Sequence, residues 1–559
     1  MTVQANRRSG GRILIDQLAL HGVDTVFCVP GESYLAALDA FADHPAIKLI
    51  VCRQEGGAAI MADAYGKLTG KPGICFVTRG PGATNASSGV HIAFQDSTPM
   101  ILFVGQVGRE MRDREAFQEV DFTRMFAPLA KWVAEIQHPG RIPELVSRAF
   151  YTAAGGRPGP VVLSLPEDML TELSEVGDAR PYARTEIQPG KADLDALAAR
   201  LAKAERPVAI LGGGDWDRQA SENFAAFARA QGIPVGTTFR AHDLIDNLDP
   251  CYGGHIGIGI NPKWSARIKG SDLLLVAGSR LGEQSTGGYS LIDVPTPAQP
   301  MIHVYPDPEE IGRVYQPVQG IVASMRPFAA ALKALPANAM PARQATMRAA
   351  HEDYLAFTKP LPGPGQVQMS EIVASLAKLL PADAILSNGA GNYSVWVHRF
   401  HRYRGFRTQL APTSGSMGYG MPAAIAAKLV HPKRAVVAFA GDGCFMMTSQ
   451  ELATAVQYRL PIVTVVVNNG MYGTIRMHQE REHPGRYPGT ALVNPDFAAY
   501  ARAFGAHGAT VEKTADFAPA LAAALEAELP TVIELRVDPE AITPTATLSG
   551  LRAAALAKR

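Results

Sequence analysis

The segment AVVAFAGDGCFMMTSQELATAVQYRLPIVTVVVNNG, residues 435–470, reads as a single β-α-β unit. AVVAFA and IVTVVV are near-continuous apolar runs, the pattern of parallel strands covered on both faces. Thr448 with Glu451 three positions on has the spacing of a capping box, which predicts a helix from there to about Tyr458, ended by Leu460-Pro461. Each strand runs out into a polar turn, Gly441-Asp442-Gly443 after the first and Asn468-Asn469-Gly470 after the second. Open α/β sheets bind ligands at the carboxyl ends of their strands. A carboxylate from Asp442, an amide oxygen from Asn469 and a nearby main-chain carbonyl suit a hard cation such as Mg²⁺. Gly441 and Gly443 let backbone N–H groups approach phosphate oxygens at a helix start. The segment therefore predicts a metal–diphosphate site, against the alternative that both turns are only turns.

The same alternation extends outward over most of the chain. In residues 1–175 the strand candidates are TVFCVP, KLIVC, GICFVT, MILFVGQV and VVLSLP. A polar stretch at 171–190 reads as a linker. Residues 191–345 repeat the pattern with RPVAILGGG, IPVGTT and DLLLVAGSR, and LPGPGQ at 361–366 marks the next boundary. Residues 367–545 hold AILSNGAG, the opening segment and PTVIELRVD; residues 546–559 are a tail. The fold class expected is α/β, with three consecutive doubly wound parallel-sheet domains.

Composition narrows the function classes. The chain has 559 residues, 53 basic and 52 acidic, for a net charge of +1, so nothing in its charge favours nucleic acid or an anionic membrane surface. No uncharged apolar run is long enough to cross a bilayer, and ILIDQLAL near the start reads as an amphipathic helix rather than an export signal, despite Arg7-Arg8. Five scattered cysteines without C-x-x-C spacing fit reduced thiols and a cytoplasmic protein.

Gly-Asp-Gly followed by Asn-Asn at this separation resembles the fingerprint of thiamine-diphosphate-dependent enzymes, and the resemblance extends along nearly the whole chain. It implies an N-terminal aminopyrimidine-binding domain, a central domain and a C-terminal diphosphate domain. It implies Asp442, Asn469 and the Met471 carbonyl as Mg²⁺ ligands, and Gly443 and Cys444 as N–H donors to the diphosphate. GAGNYSVW (389–396) resembles the family's other diphosphate loop, which points to Gly391, Asn392 and Tyr393. In SGSMGYGMPAA (414–424), Met417 stands where the family places the apolar residue beneath the bent cofactor, and Gly415 would offer its carbonyl to the aminopyrimidine. Tyr472 and Gly473, after Met471, join the cofactor-binding set on the same grounds.

Glu55, in CRQEGGAAIMADAYGKLTG (52–70), matches by spacing the family's catalytic glutamate, with Tyr65 ten residues on. Many relatives have His before it, whereas this chain has Gln54. Beside an aromatic ring and away from water, Glu55 would have a raised pKa suited to proton transfer. The segments 78–107, REAFQEVD (114–121) and 156–168 are most similar to acetolactate synthase large subunits and their near relatives, and place Phe117 and Gln118 at the substrate.

The resemblance implies a decarboxylase or carboligase acting on a small 2-oxo acid, as a homodimer or homotetramer with sites shared between chains. His478 stands where acetolactate synthases carry a Trp of the acceptor pocket. GGG (212–214), Arg280 and DPEEIG (307–312) leave FAD open as a further cofactor, against LGEQSTGG after Arg280 and Tyr305 in place of an acid. The alternatives are a flavin-linked oxidase, another lyase of the superfamily, and a catalytically silent nucleotide-binding protein.

Overall fold

The chain folds around three six-stranded parallel sheets, and the polar turns singled out above follow two neighbouring strands of one of them. The computed structural model describes residues 7–338 and 340–558. The chain forms two compact units, one of residues 1–185 and 425–430, the other of residues 186–424 and 431–559.

In the first unit the strands lie in the order Lys48–Val51, Thr25–Cys28, Gly73–Val77, Met100–Gln106, Pro160–Pro166, Trp132–Glu135. The two longest are buried at every position because helices cover both faces. Phe76 and Phe103 stack at 4.6 Å within this core, and Phe41 meets Phe76 edge-on. Residues 171–190 are not all linker. Leu173–Ser174 pairs antiparallel with Arg8–Ser9, and Arg8 forms ion pairs with Asp16 and Asp178.

The second unit holds the other two sheets. One runs Tyr252–His255, Val235–Thr237, Pro207–Leu211, Leu273–Ala277, Met301–Tyr305, Gln319–Val322, around a core with Trp216 and Phe224 at its centre. The other runs Gln409–Leu410, Ile385–Asn388, Val436–Gly441, Val463–Asn468, Thr531–Arg536, His507–Val511. All pairings in both are parallel, as the β-α-β reading requires.

The expected strands form, with additions. The missed ones are mostly edges: Gln409–Leu410 has two residues, and Gln319–Val322 and His507–Val511 are half exposed, so neither presents an apolar run. Met301–Tyr305 is fully buried but carries His303 at its middle, which interrupts the pattern.

Candidate active site

The reading of residues 441–458 needs one correction. Helix begins at Asp442 itself, with Gly441 extended before it, and runs only to Met446. A short turn at Ser449–Glu451 and a second helix, Leu452–Gln457, follow. The capping box does not form. Thr448 Oγ1 donates to the Gly418 carbonyl, and Glu451 accepts from Thr454 Oγ1. A longer-range carbonyl has outcompeted the local cap, and the result ties the 414–418 loop to the Asp442 turn.

Register places the two polar turns side by side, because Gly441 pairs with Val467 across the parallel strands. They open onto a cavity of about 250 Å³ lined by Gly441, Asp442, Gly443, Cys444, Asn469, Met471, Tyr472 and Gly473. Gly391, Asn392, Tyr393, Gly415 and Met417 complete the wall, so residues from four separate stretches meet at one sheet edge. Thr474, Ile475, Val467 and Ile542 add a mostly apolar side.

Asp442 is 2% exposed, and burial pushes its carboxyl above the usual carboxylate range. The opposing pull comes from hydrogen bonds. Gly443 N–H donates to its Oδ1 at 2.9 Å and Asn494 Nδ2 to its Oδ2 at 2.8 Å. The Gly443 N–H that the resemblance assigns to the diphosphate is thus engaged with Asp442 in this structure. Asn494 also donates to Asn468 Oδ1 at 3.0 Å, and Asn468 Nδ2 reaches Glu534 at 2.7 Å. Of the paired asparagines, Asn468 therefore belongs to the scaffold and Asn469 to the cavity wall. Among the described residues no three His, Cys, Asp or Glu side chains gather as a metal cluster. A cation here would rely on the Asp442 carboxylate with amide and main-chain oxygens, a donor set of the Mg²⁺ kind.

Two tyrosines explain the glycines. A Cβ on Gly443 would lie 2.5 Å from the Tyr472 ring, and one on Gly441 3.1 Å from Tyr393. Gly391 has φ 142°, which disfavours any side chain. Tyr393 Oη accepts the Gly389 N–H at 2.9 Å and lies 3.4 Å from Cys444 Sγ. The Cys444 thiol in turn accepts the Gly418 N–H at 3.2 Å. Loop 389–393, loop 414–418 and the Asp442 turn are thereby linked behind the cavity.

The helix Gly473–Glu482 supplies Gly473, Thr474 and Ile475. Thr474 Oγ1 donates to Asn392 Oδ1 at 2.9 Å, fixing the amide that faces the cavity. Glu480, near the other end of this helix, is fully buried, and the Arg552 guanidinium, with help from Gly485 N–H and Arg476, holds it down to about 2. His478 is exposed and does not line the cavity.

Glu55, Phe117 and Gln118 form a second cluster, on the first unit. Glu55 opens the helix Glu55–Thr69, and Gln54 caps it by accepting the Gly57 N–H at 3.0 Å. The residue that departs from the family pattern thus has a local structural role. Glu55 is half-buried and accepts from Asn85 Nδ2 at 2.9 Å, on the helix Gly80–Asp96. Gln118 has φ 63°, and its carbonyl accepts the Gly80 N–H at 3.0 Å, so one helix start holds both Glu55 and the Phe117 loop. Phe117 is 72% exposed. Tyr65 bonds Asp24 at 2.9 Å and packs on Phe27, nearly three turns along the helix from Glu55.

Sequence reasoning missed Asn494, Thr474 and the Glu480–Arg552 pair. Each is an ordinary polar residue with no local motif, and only contact with Asp442, Asn392 or the cavity helix marks it.

Residues 8–125 match the thiamine pyrophosphate enzyme N-terminal TPP binding domain, 194–335 the central domain and 389–535 the C-terminal TPP binding domain of those enzymes. The acetolactate synthase large subunit of Parasynechococcus marenigrum is 34% identical over 95% of this chain and 87% of its own length. That of Porphyra purpurea is 31% identical over 95% and 92%, and the isozyme 2 large subunit of Escherichia coli 30% identical over 95% and 96%. With all three domains matched, the chain belongs to the thiamine-pyrophosphate-dependent enzymes of the acetolactate synthase type.

Proposed function

We propose that the protein decarboxylates a small 2-oxo acid and joins the remaining fragment to a second carbonyl compound, with Mg²⁺ and thiamine diphosphate bound. The observation that carries this reading is the meeting of Asp442, Asn469, Gly391 and Met417 at one sheet-edge cavity. Thiamine diphosphate supplies the electron sink that a 2-oxo acid needs to lose CO₂. Asp442, Asn469 and the Met471 carbonyl would hold the cation, and the 391–393 and 441–444 turns would hold the diphosphate. Met417 would support the bound cofactor, and the Gly415 carbonyl would accept from its aminopyrimidine. Val467 and Ile542, both buried, keep water from their side of the cavity.

Glu55 holds the proton at N1′ of the pyrimidine. In this reading it comes from a second copy of the chain, which makes the active form a homodimer or homotetramer. Phe117 and Gln118 border the substrate, and the exposed Phe117 ring is the kind of surface such an arrangement would cover. Five free, buried cysteines fit a reducing cytoplasm.

This function does not call for FAD. At the point where strand order reverses in the central sheet, a Cβ on Gly213 would lie 2.1 Å from the Gly278 carbonyl. Trp216 Nε1 donates to the Gly212 carbonyl at 2.8 Å. The glycine turn is packed against its neighbour and capped by Trp216.

The test is CO₂ release from a panel of 2-oxo acids, with and without acceptor carbonyl compounds, in the presence of both cofactors. Release with a condensation product is expected. A protein that binds thiamine diphosphate yet releases no CO₂ from any of them refutes the proposal.

A further inference from the structure

Arg240 belongs to the central sheet's side of the second unit, two residues beyond the pair Thr237-Thr238 at the end of the strand Val235–Thr237. It is 8% exposed, and its backbone has φ 62°, a conformation uncommon for a residue with a long side chain. Such a conformation persists only where surrounding contacts over-determine it. Those contacts lead to the cofactor cavity. Nη2 donates to the Gly389 carbonyl at 2.9 Å, and Nη1 donates to the Pro412 carbonyl.

Both carbonyls stand at the roots of cavity loops. Gly389 precedes the loop that presents Gly391, Asn392 and Tyr393. The Pro412 carbonyl also accepts the Gly415 N–H at 3.1 Å, closing the turn that presents Gly415 and Met417. One guanidinium therefore bridges the loop read as the diphosphate contact and the loop read as the pyrimidine contact. Phe239 backs it, with the guanidinium carbon 4.7 Å from the ring centroid, and the same ring meets His398 edge-on at 5.8 Å. His398 Nε2 lies 3.3 Å from Asn388 Oδ1, beside Gly389.

A planar fork with fixed donor directions can hold two carbonyls at a set separation, which a lysine ammonium cannot. We propose that Arg240 is a positioning residue for cofactor binding: it sets the spacing of the two loops without touching cofactor or substrate. The central sheet, none of whose described residues lines the cavity, would thus take part in forming it. This inference rests on the cofactor reading above.

The test uses the full chain and the variants R240K and R240Q. Thiamine diphosphate affinity with Mg²⁺ is measured by calorimetry, and the melting temperature is measured without cofactor. Loss of two charge-assisted bonds to the loop roots should weaken binding by about tenfold or more in R240Q. R240K should recover part of that loss, and cofactor-free melting should stay within about 3 °C of wild type. Wild-type affinity in both variants would overturn the assignment. A fall in cofactor-free melting that matches the affinity loss in both would also overturn it, since Arg240 would then serve folding alone. A wild-type protein that does not bind thiamine diphosphate refutes the site itself, and the Arg240 role with it.

Discussion

Mild acid should destabilise the second unit through its buried histidines before its carboxylate pairs respond. His242, His255, His398 and His401 are all buried where residues 240–258 meet residues 398–410, with His242 4.4 Å from His255 and 4.9 Å from His398 between ring centroids. Burial pushes His255 and His401 down to about 4, and His242 and His398 well below the ordinary histidine value. The Arg240 cation opposes protonation of the last two as well. The nearby carboxylate, Asp243, accepts the Thr408 and Gln409 N–H groups.

With folded values below the unfolded one of about 6.5, the unfolded chain binds more protons in between. The stabilisation is complete above that value and is lost as pH falls toward 4. At pH 5 the loss is about 2 kcal/mol for each of His255 and His401, hence about 4 kcal/mol for the pair, from a total that is typically about 5–15 kcal/mol. Among the carboxylates, Glu480, held down to about 2, contributes mainly below pH 5, whereas burial raises Asp243 and Asp442, whose protonation in the folded state works against the histidine loss. Urea unfolding at pH 7, 6 and 5 is the assay, on wild type and on H255Q/H401Q. The double variant should be less stable at pH 7 but lose about 4 kcal/mol less on acidification. Equal stability of wild type at pH 7 and 5, or an undiminished drop in the double variant, would refute the reasoning.

Glu55→Gln should abolish CO₂ release while thiamine diphosphate still binds; a near-normal rate would remove the proton-holding role. Asp442→Ala should weaken Mg²⁺-dependent cofactor retention, read by calorimetry, and unchanged affinity would count against the metal site. Asn494→Ala removes a hydrogen bond to the buried Asp442 carboxylate, which should raise its pKa further and shift the Mg²⁺ requirement upward at pH 6 more than at pH 8. Gly443→Ala drives a methyl group toward Tyr472, and should destabilise the protein by about 1–3 kcal/mol in urea while weakening cofactor binding.

Much of the cofactor half was legible because its residues sit immediately after apolar strands. Asp442 and Asn469 announce themselves as polar turns at the ends of AVVAFA and IVTVVV, and a parallel pairing makes those ends neighbours. The capping box at Thr448 was misread for the converse reason: its spacing satisfies a local rule, but the Gly418 carbonyl, thirty residues earlier, takes the hydroxyl instead. His478 stood next to a motif, yet it lies exposed one helical turn beyond Thr474 and Ile475, which reach the cavity.

The amino-acid sequence alone determined three parallel-sheet blocks, the polar turns that end their strands and the glycines that keep those turns open. These depend on periodicity and neighbouring residues, which a linear reading retains. Only the tertiary structure decided that Asn468 joins the scaffold through Asn494 and Glu534, that Asn494 holds Asp442, and that Arg240 braces two loops from the central sheet. Those choices are competitions for a few buried donors and acceptors among residues far apart in the chain, and the winner depends on distances that folding alone creates.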